Sequence, residues 1–223
     1  MARQYMDEKI LSIKRNLEDE KARAAMQETI DKEIAAQDIS SGQVVIYGAI
    51  VPFAPRELLD GRLTLTVPED WTVMSPEVAK IKYPLGSQPP IILTDPTITI
   101  NITVNHMAVP LKQDPTDIAT FVEFMKRVTD KSVKARFFDD GLAQNEETGL
   151  FIGWYEYAIF NWDGDNLYNF VCATSLENRA LLMSFNCLNE QKPRWKSLAE
   201  DILLTLKLTG RDMKPTGDKE EKT

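Results

Sequence analysis

The sequence predicts an α+β fold, in which an antiparallel β-sheet is sandwiched by helices and preceded by a helical N-terminal arm. Residues 97–106 alternate strictly between apolar and polar side chains, which is typical of a strand with one buried face. Residues 116–128 carry apolar side chains at helical spacing, as a helix that covers a sheet does. These segments predict a single α+β sandwich domain over residues 40–209, between an arm at 1–39 and a disordered tail at 210–223.

The composition and charge of the chain exclude several classes of partner. The chain has 223 residues, of which 43% are hydrophobic, and this is enough for one buried core. Its net charge is −8, whereas a protein that binds nucleic acid needs clustered Lys and Arg. The first residues lack the apolar run of a secretion signal, and no segment approaches the ~20 apolar residues of a membrane span. We therefore expect a cytoplasmic protein with no membrane span and no nucleic-acid partner.

The arm is predicted to be helical over residues 3–37, because this segment lacks Gly and Pro and is rich in Ala and Glu. Its apolar residues form two stripes more than ~100° apart at 3.6 residues per turn. The stripes are Met6, Ile10, Ile13, Leu17 and Ala24, and Met26, Ile30 and Ile34. A straight helix cannot bury both stripes against one surface. Either the helix breaks near residues 18–20, or it contacts two partners, or the arm packs loosely on its own domain in solvent.

Strand signals begin directly after the arm. The pattern predicts strands at 43–51 and 62–67, the first of them ended by a loop at 52–55 that contains two prolines. Ser75 is followed by proline, so we expect a short helix with Ser75 as its N-cap that ends near Lys82.

The alternating strand is predicted to have one apolar and one polar face. The apolar face holds Ile98, Ile100, Ile102 and Val104, and the opposite face holds Thr99, Asn101, Thr103 and Asn105. The helix that follows should run from about residue 114 or 116 to residue 130, with Ile118, Phe121, Val122, Met125 and Val128 towards the sheet.

The second half of the chain predicts an antiparallel meander and a closing helix. The strands are expected at 134–139, 150–161, 167–176 and 180–188, and the helix at 193–206. A turn at Glu177-Asn178-Arg179 would pair Cys172 with Ser184. It would also pair Cys187 with Asn169. We therefore expect the two cysteines to be separate free thiols that act as small hydrophobic residues.

Few residues are candidates for catalysis or metal binding. His106 is the only histidine, and without companions it favours a hydrogen-bonded structural role over a metal site or a general base. The segment 163–166 favours a hairpin turn over a calcium loop, because the ligand spacing is wrong. Asp139-Asp140 and Glu146-Glu147 favour solvated charge over a hydrolase pair. We expect no catalytic residue set, no metal and no cofactor.

Aromatic residues crowd one hairpin of the meander. Alternation sends Tyr155 and Tyr157 to one face of the sheet and Trp154 and Phe160 to the other, so both faces are expected to be covered. An uncovered face would be the best place for an apolar ligand or a peptide. The candidate binding residues are therefore those of the arm and of this hairpin: Ile10, Ile13, Leu17, Met26, Ile30, Ile34, Trp154, Tyr155, Tyr157 and Trp162.

The order of elements resembles a known sandwich. The resemblance is carried by Leu-Thr-Val-Pro-Glu-Asp-Trp at 65–71, the strand at 97–107, the helix at 116–128, the hairpin at 153–175 and the helix from Trp195. This arrangement is similar to the α/β/α sandwich shared by the photosystem PsbP proteins and the Ran-binding Mog proteins, and to bacterial DcrB-like proteins. The resemblance covers about residues 60–208. It implies a binding or adaptor protein, and one bacterial branch, the Eag-type adaptors of type VI secretion, shields apolar helices of toxins before export.

The expected function is a non-enzymatic protein-binding module that contacts another protein through the N-terminal helix, with self-association as a second option. One alternative is an adaptor for a secreted effector, which an exposed apolar concavity on the sheet would favour. Another is a small-ligand protein or an enzyme without a recognisable motif. A closed pocket that holds His106 or convergent acidic residues would favour this third function.

Overall fold

The computed structural model describes residues 2–35, 38–83, 88–160 and 166–209, and within them all side chains except those of 2–13, 17 and 33–35. The helices of this part of the chain are α1 (Ala2–Ala35), α2 (Pro76–Lys82), α3 (Pro115–Ser132) and α4 (Lys192–Leu204). The strands are β1 (Gln43–Ile46), β2 (Ala49–Leu58), β3 (Leu63–Pro68), β4 (Thr72–Val73), β5 (Ile91–Thr94), β6 (Asn101–Pro110), β7 (Ala135–Gln144), β8 (Phe151–Ile159), β9 (Leu167–Leu176), β10 (Arg179–Leu188) and β11 (Lys207–Leu208). The predicted tail at 210–223 lies outside the described residues.

Within the described residues the strands form two antiparallel sheets. The smaller sheet has the order β1-β2-β3-β11, and the larger has the order β4-β5-β6-β10-β9-β8-β7. One face of the larger sheet shares an apolar core with the smaller sheet and α4, in which Trp195 lies 5.7 Å from Trp71 between ring centroids. The other face carries α3 over β7, β8 and β9, and α2 over Ile92 of β5. The α+β architecture predicted from the sequence is confirmed.

The caps of the two middle helices follow the sequence signals. Ser75 caps α2, with its hydroxyl accepting a hydrogen bond from the backbone N–H of Val78, as predicted. Asp114 caps α3 by accepting hydrogen bonds from the backbone N–H groups of Thr116 and Asp117. Ile118, Phe121 and Val122 of α3 are buried against the sheet, as predicted, while Val128 remains 38% exposed.

The alternating strand begins four residues later than predicted. β6 starts at Asn101, because the Asp95 carboxylate accepts hydrogen bonds from the backbone N–H of Thr97 (3.0 Å) and of Ile100 (2.8 Å) and folds the preceding residues into a turn. Ile98 takes a positive φ of 63° in this turn and is 39% exposed, so it does not join the buried face of Ile100. The strand instead continues to Pro110.

The predicted strand at 43–51 is a hairpin. Tyr47 and Gly48 have φ of 52° and 74°, and this two-residue turn joins β1 to β2. The predicted loop at 52–55 was wrong, because β2 continues to Leu58. Its second proline, Pro55, lies outside the part of β2 that pairs with β1. The missing N–H of Pro55 therefore costs no hydrogen bond to β1.

The cysteine register is shifted by one residue from the prediction. The turn between β9 and β10 has only two residues, Glu177 and Asn178, with φ of 54° and 58°. Cys172 therefore faces Met183, and Cys187 faces Tyr168. Both thiols are free and buried, as predicted.

The ends of the meander also differ from the prediction. β7 extends beyond the predicted 134–139 to Gln144, because a register shift between Phe137 and Asp140 interrupts its alternation. β8 ends at Ile159 instead of residue 161. The sequence pattern missed β11, a two-residue strand that follows α4 and pairs with β3.

Candidate binding sites

The arm is one continuous helix through residues 18–20, so the predicted break does not occur. It contacts α4 near its C-terminal end, where Ile30 is 6% exposed. Met26 is 60% exposed, and Ala24 of the other stripe is exposed as well. The candidate side chains of Ile10, Ile13, Leu17 and Ile34 lie outside the described ones. Ile30 therefore anchors the arm, and Met26 faces solvent.

The middle of α1 is exposed on all sides. Every side chain from residue 18 to residue 29 is exposed. Glu28 and Lys32, one turn apart on this exposed surface, form an ion pair with 2.8 Å between the carboxylate oxygen and Nζ. A helix of 34 residues extends over about 51 Å at 1.5 Å per residue. Among the described side chains of this long helix, all are thus exposed except Ile30.

A cleft of about 340 Å³ separates α1 from α4. It is lined by Gln27, Asp31, Lys192, Pro193, Lys196, Ser197 and Glu200. Below it, Glu156 of β8 is only 1% exposed and accepts hydrogen bonds from Lys196 (2.5 Å) and from the Tyr168 hydroxyl (2.9 Å). Lys192 lies 3.6 Å from the same carboxylate. This charged cluster couples the sheet to α4 next to the point where the arm is attached.

The charges in this cluster compensate one another. Burial lowers the pKa of Lys196, but its hydrogen bond to Glu156 and the attraction of Glu156 and Glu200 outweigh burial and raise it. Burial raises the pKa of Glu200. Lys192 also lies over the ring of Phe138, with 3.8 Å between Nζ and the ring centroid. Because each ammonium group already has a partner, the cluster is a structural support and not an anion site.

The aromatic hairpin is covered on both faces at Trp154, Tyr155 and Tyr157, as predicted, but not at Phe160. Trp154 stacks on Phe170 at 5.5 Å in the core beneath α4. Tyr155 is 2% exposed beneath α3, and its hydroxyl lies 3.0 Å from the Thr129 hydroxyl. Tyr157 packs on the same side, 5.9 Å from Tyr155 between ring centroids. These aromatic residues are therefore packed against their neighbours, whereas Phe160 next to β8 is 46% exposed. The candidate Trp162 lies outside the described residues.

The larger sheet carries a polar furrow between α2 and α3. Its floor consists of Thr103 and Asn105 of β6 and Ser184 and Asn186 of β10, of which all but Thr103 are half-buried. Cross-strand partners share a face of the sheet, and the Thr103 and Ser184 hydroxyls lie 2.7 Å apart. The polar face predicted for the alternating strand is therefore present from Asn101 onwards and becomes the floor of this furrow.

At one end of the furrow, three asparagines form a row across adjacent strands. Asn186 lies opposite Asn101 of β6 and opposite Asn169 of β9. The Asn101 side chain donates a hydrogen bond to Oδ1 of Asn186 at 2.9 Å. Within the described residues, Oδ1 of Asn101 and Nδ2 of Asn169 are buried without a hydrogen-bond partner. Each such atom costs about 1–3 kcal/mol of folding free energy, so this asparagine row calls for an explanation.

A groove of about 650 Å³ lies beside the N-terminal half of α3. It is lined by Pro110, Leu111, Lys112, Asp117, Thr120, Phe121, Phe124 and Asn178. Phe124 is 57% exposed, and its ring centroid lies 6.5 Å from that of Phe121. The groove is thus an apolar depression between a helix and two loops, and it does not lie on the sheet.

The residues that the sequence singled out for chemistry are not brought together. Nε2 of His106 lies 3.0 Å from the carbonyl oxygen of Leu176, which agrees with the predicted structural role. Burial raises the pKa of the Cys187 thiol to about 12 and also raises that of Cys172. Across the described part of the chain, no three His, Cys, Asp or Glu side chains are placed to hold a metal ion. Among the described helices, none combines the length and apolar character that crossing a membrane requires.

Comparisons with known proteins bear on the fold. No protein family matches the sequence, and no curated protein matches it either. The solved structure of cyanobacterial PsbP (CyanoP) from Synechocystis is similar, with 16% sequence identity and a TM-score of 0.54 over 74% of this chain and 96% of that one. This chain has a PsbP-like fold. This agrees with the PsbP-like fold that the resemblance of the sequence implied.

Two more distant structures are also similar to the PsbP-like domain. The Ran-binding protein Mog1p of Saccharomyces cerevisiae has 11% identity and a TM-score of 0.48, over 71% of this chain and 96% of that one. LpqN of Mycobacterium tuberculosis, which is involved in cell envelope biogenesis, has 13% identity and a TM-score of 0.45, over 72% and 92%. Similarity at this level concerns the fold alone.

Proposed function

We propose that this chain is a non-enzymatic protein-binding module and that the N-terminal half of α1 is its binding element. The observation that supports it is the attachment of α1 by one side near its C-terminal end, at Ile30, while residues 18–29 are exposed. A long helix that is polar around most of its circumference gains little stability from its own domain. A second protein would supply the missing packing.

Helical periodicity places the apolar stripe of the N-terminal half on a different side of the helix from the anchor. At about 100° per residue, the mean direction of Ile10, Ile13 and Leu17 is about 133° around the helix axis from Ile30. A helix that remains continuous cannot turn this stripe towards α4. The stripe therefore suits a groove on another protein, as in recognition of an amphipathic helix by its i, i+3 and i+7 residues.

The free energy available from burial of this stripe is sufficient for specific binding. Complete burial of an Ile or Leu side chain contributes about 1.5–3 kcal/mol, so Ile10, Ile13 and Leu17 together supply several kcal/mol before the costs of association. The expected partner is another protein with an apolar groove, and a second copy of this chain is the other option. The free buried thiols suit a reducing compartment, so we place the module in the cytoplasm.

Two alternatives have less support from the geometry. An adaptor that shelters apolar helices on its sheet needs an apolar surface there, whereas the furrow floor carries Thr103, Asn105 and Ser184. The apolar groove with Phe124 lies beside α3 and not on the sheet. An enzyme would need a convergent reactive group, and His106 is bonded to a backbone carbonyl instead. The assignment to the DcrB-like branch stays a prediction.

Affinity capture tests the proposal. Full-length protein, an Ile13→Asp variant and an Ala22→Asp variant are immobilised and exposed to lysate of the source cell. Both changes place an aspartate on α1, but exposed Ala22 lies about 147° around the axis from the stripe of Ile10, Ile13 and Leu17. A protein retained by the wild type and by Ala22→Asp, and lost with Ile13→Asp, supports the arm as binding element. Equal retention by all three refutes it.

A further inference from the structure

We propose that the free edge of the larger sheet is a dimer interface, at which β7 pairs antiparallel with β7 of a second copy of this chain. β7 is the last strand in the order of that sheet, and within the described residues it pairs only with β8. The arm takes no part in this contact, so the inference goes beyond the function proposed for α1 and does not rest on it.

The outer edge of β7 is accessible, and six of its ten side chains are exposed. A strand at the end of a sheet has backbone N–H and C=O groups that point away from its neighbour. In the described part of the chain, the bonds that the β7 backbone makes outside its ladder with β8 are local. The N–H of Ala135 donates to the carbonyl of Val133, and the N–H of Asp140 donates to the Asp139 carboxylate. Other outward groups of β7 therefore remain for an added strand.

The charges along this edge form two halves of opposite sign. The basic half holds Lys131, Lys134 and Arg136, and the acidic half holds Asp139 and Asp140, all of them exposed. Residues 130–140 carry equal numbers of basic and acidic side chains, although the net charge of the chain is −8. A row of lysines alone keeps other strands away from an edge. Two halves of opposite sign instead attract a second copy when the strands run antiparallel.

A two-fold axis between Phe137 and Phe138 brings the two halves together. In a two-fold contact both copies use the same patch, so each facing pair of residues occurs twice. With the axis in this position, Arg136 of each copy lies opposite Asp139 of the other. Lys134 lies opposite Gly141, which has no side chain to oppose it.

The bulge of β7 puts Arg136 and Asp139 on one face of the sheet. Phe137 and Asp140 lie opposite two tyrosines that pack beneath α3, so both residues point to that face. Arg136 directly precedes Phe137, and Asp139 directly precedes Asp140, so alternation sends both to the other face. Without the extra residue of the bulge, these two side chains would lie on opposite faces.

Exposed apolar side chains lie along the same edge. Phe138 is 41% exposed and Leu142 is 42% exposed. In the proposed register the two Phe138 residues lie next to the axis, and Leu142 lies opposite the half-buried Val133 of the other copy. Burial of these side chains adds a hydrophobic contribution to the backbone hydrogen bonds of the new ladder.

The oligomeric state of the full-length protein is the first test. Sedimentation velocity over a concentration series should show a reversible equilibrium between monomer and dimer. The Ile13→Asp variant is measured in parallel, because the arm offers a separate route to self-association, and its dimer Kd should stay within twofold of the wild-type value. A wild type that stays monomeric overturns the proposal, as does loss of the dimer in Ile13→Asp.

Charge reversal tests the register. Arg136→Glu and Asp139→Arg each place like charges opposite one another, so each variant alone should dimerise at least tenfold more weakly than the wild type. An equimolar mixture of the two variants has opposite charges at both positions and should form a heterodimer with a Kd near the wild-type value. The matched control is Lys80→Glu, which reverses an exposed charge on α2, over β5 near the opposite edge of the sheet, and should stay within twofold. Single variants that dimerise as the wild type does, or a mixture that does not recover, contradict the register.

Hydrogen exchange locates the contact in the wild type and does not depend on the folding of any variant. The β7 amides that do not bond to β8 should exchange at least tenfold more slowly in the dimer than in the dilute monomer. The outward amides of β1, at the edge of the smaller sheet, should exchange equally in both. Equal exchange of the β7 amides overturns the proposal. Protection of these amides in the monomer also overturns it, because another segment of the same chain then covers the edge.

Discussion

Replacement of Glu156 by glutamine tests the charged cluster that couples β8 to α4. The wild-type carboxylate is 1% exposed and has three partners: Lys196 at 2.5 Å, the Tyr168 hydroxyl at 2.9 Å and Lys192 at 3.6 Å. Glutamine keeps the shape and an acceptor oxygen but removes the negative charge. Two ammonium groups, on side chains that are 25% and 37% exposed, then face a neutral side chain.

The expected loss of stability follows from the burial of the carboxylate. Removal of one partner from a buried ion pair costs about 3–5 kcal/mol, because the remaining charge stays uncompensated. Lys196 is 37% exposed and keeps Glu200 at 3.5 Å, which places the Glu156→Gln variant at the lower end. We expect a decrease of about 3 kcal/mol in the free energy of unfolding. For a chain of this size that lowers Tm by about 6–12 °C.

Urea denaturation followed by circular dichroism measures this loss, with Glu28→Gln as the matched control. Glu28 is 68% exposed and pairs with Lys32 at 2.8 Å, so its replacement should cost less than about 0.5 kcal/mol. A Glu156→Gln variant that loses no more stability than Glu28→Gln would refute the claim that the buried cluster supports the fold.

Three further outcomes follow from packing and protonation. Gly153→Ala should lower the free energy of unfolding by roughly 1–3 kcal/mol in urea denaturation, because the new Cβ would lie 2.6 Å from Cγ2 of Val122. Native Cys187, with its pKa near 12 instead of 9.0, should react about 10³-fold more slowly than an ordinary thiol with Ellman's reagent at pH 8, and Cys172 more slowly still. Burial raises the pKa of Glu200 in the folded state above its unfolded value of 4.5. Protonated Glu200 therefore favours the folded state, and this contribution to the free energy of unfolding is fully present below pH 4.5 and is lost as the pH rises through the folded-state pKa. Glu200→Gln should therefore flatten the pH dependence of the urea midpoint just above pH 4.5.

Each of these outcomes has its own control. The double variant Gly153→Ala/Val122→Ala should recover part of the lost stability, and an unchanged urea midpoint in the single variant contradicts the close contact. Denatured protein should release both thiols to Ellman's reagent at the ordinary rate, and rapid labelling of the native state contradicts their burial. A pH profile that is the same with and without Glu200 contradicts the raised pKa.

Local signals in the sequence were sufficient to predict where the helices lie and which face they bury. Ser75 before a proline, and the apolar spacing of Ile118, Phe121 and Val122, depend only on neighbours within one or two turns of helix. The fold class followed from the order of such elements.

Turn geometry was the main source of error. The hairpin at Tyr47 and Gly48 contains no Asn-Gly or Asp-Gly signal, so its two strands were predicted as one. The turn at Glu177 and Asn178 uses positive φ at two non-glycine residues, which composition does not reveal. In β6, the Asp95 side chain competes with the sheet for the backbone N–H of Ile100 and delays the start of the strand.

The asparagine row shows how one turn residue decides which side chains share a face of the sheet. The polar alternation of Asn101, Thr103 and Asn105 was evident from the sequence. The predicted three-residue turn, however, paired Cys187 with Asn169 and so moved Asn186 to the wrong face. Only the two-residue turn of the structure places Asn186 between Asn101 and Asn169.

The most direct test of the binding function is calorimetric titration of a purified protein that the wild-type chain captures. Full-length wild type, Ile13→Asp and Ala22→Asp are each titrated with this partner under the same conditions. We predict that Ile13→Asp raises the Kd about 30-fold, which corresponds to a loss of about 2 kcal/mol of binding free energy from apolar burial. The Kd of Ala22→Asp should stay within twofold of the wild-type value. Equal Kd values for Ile13→Asp and the wild type, with both variants folded, would contradict the assignment of the arm as the binding element.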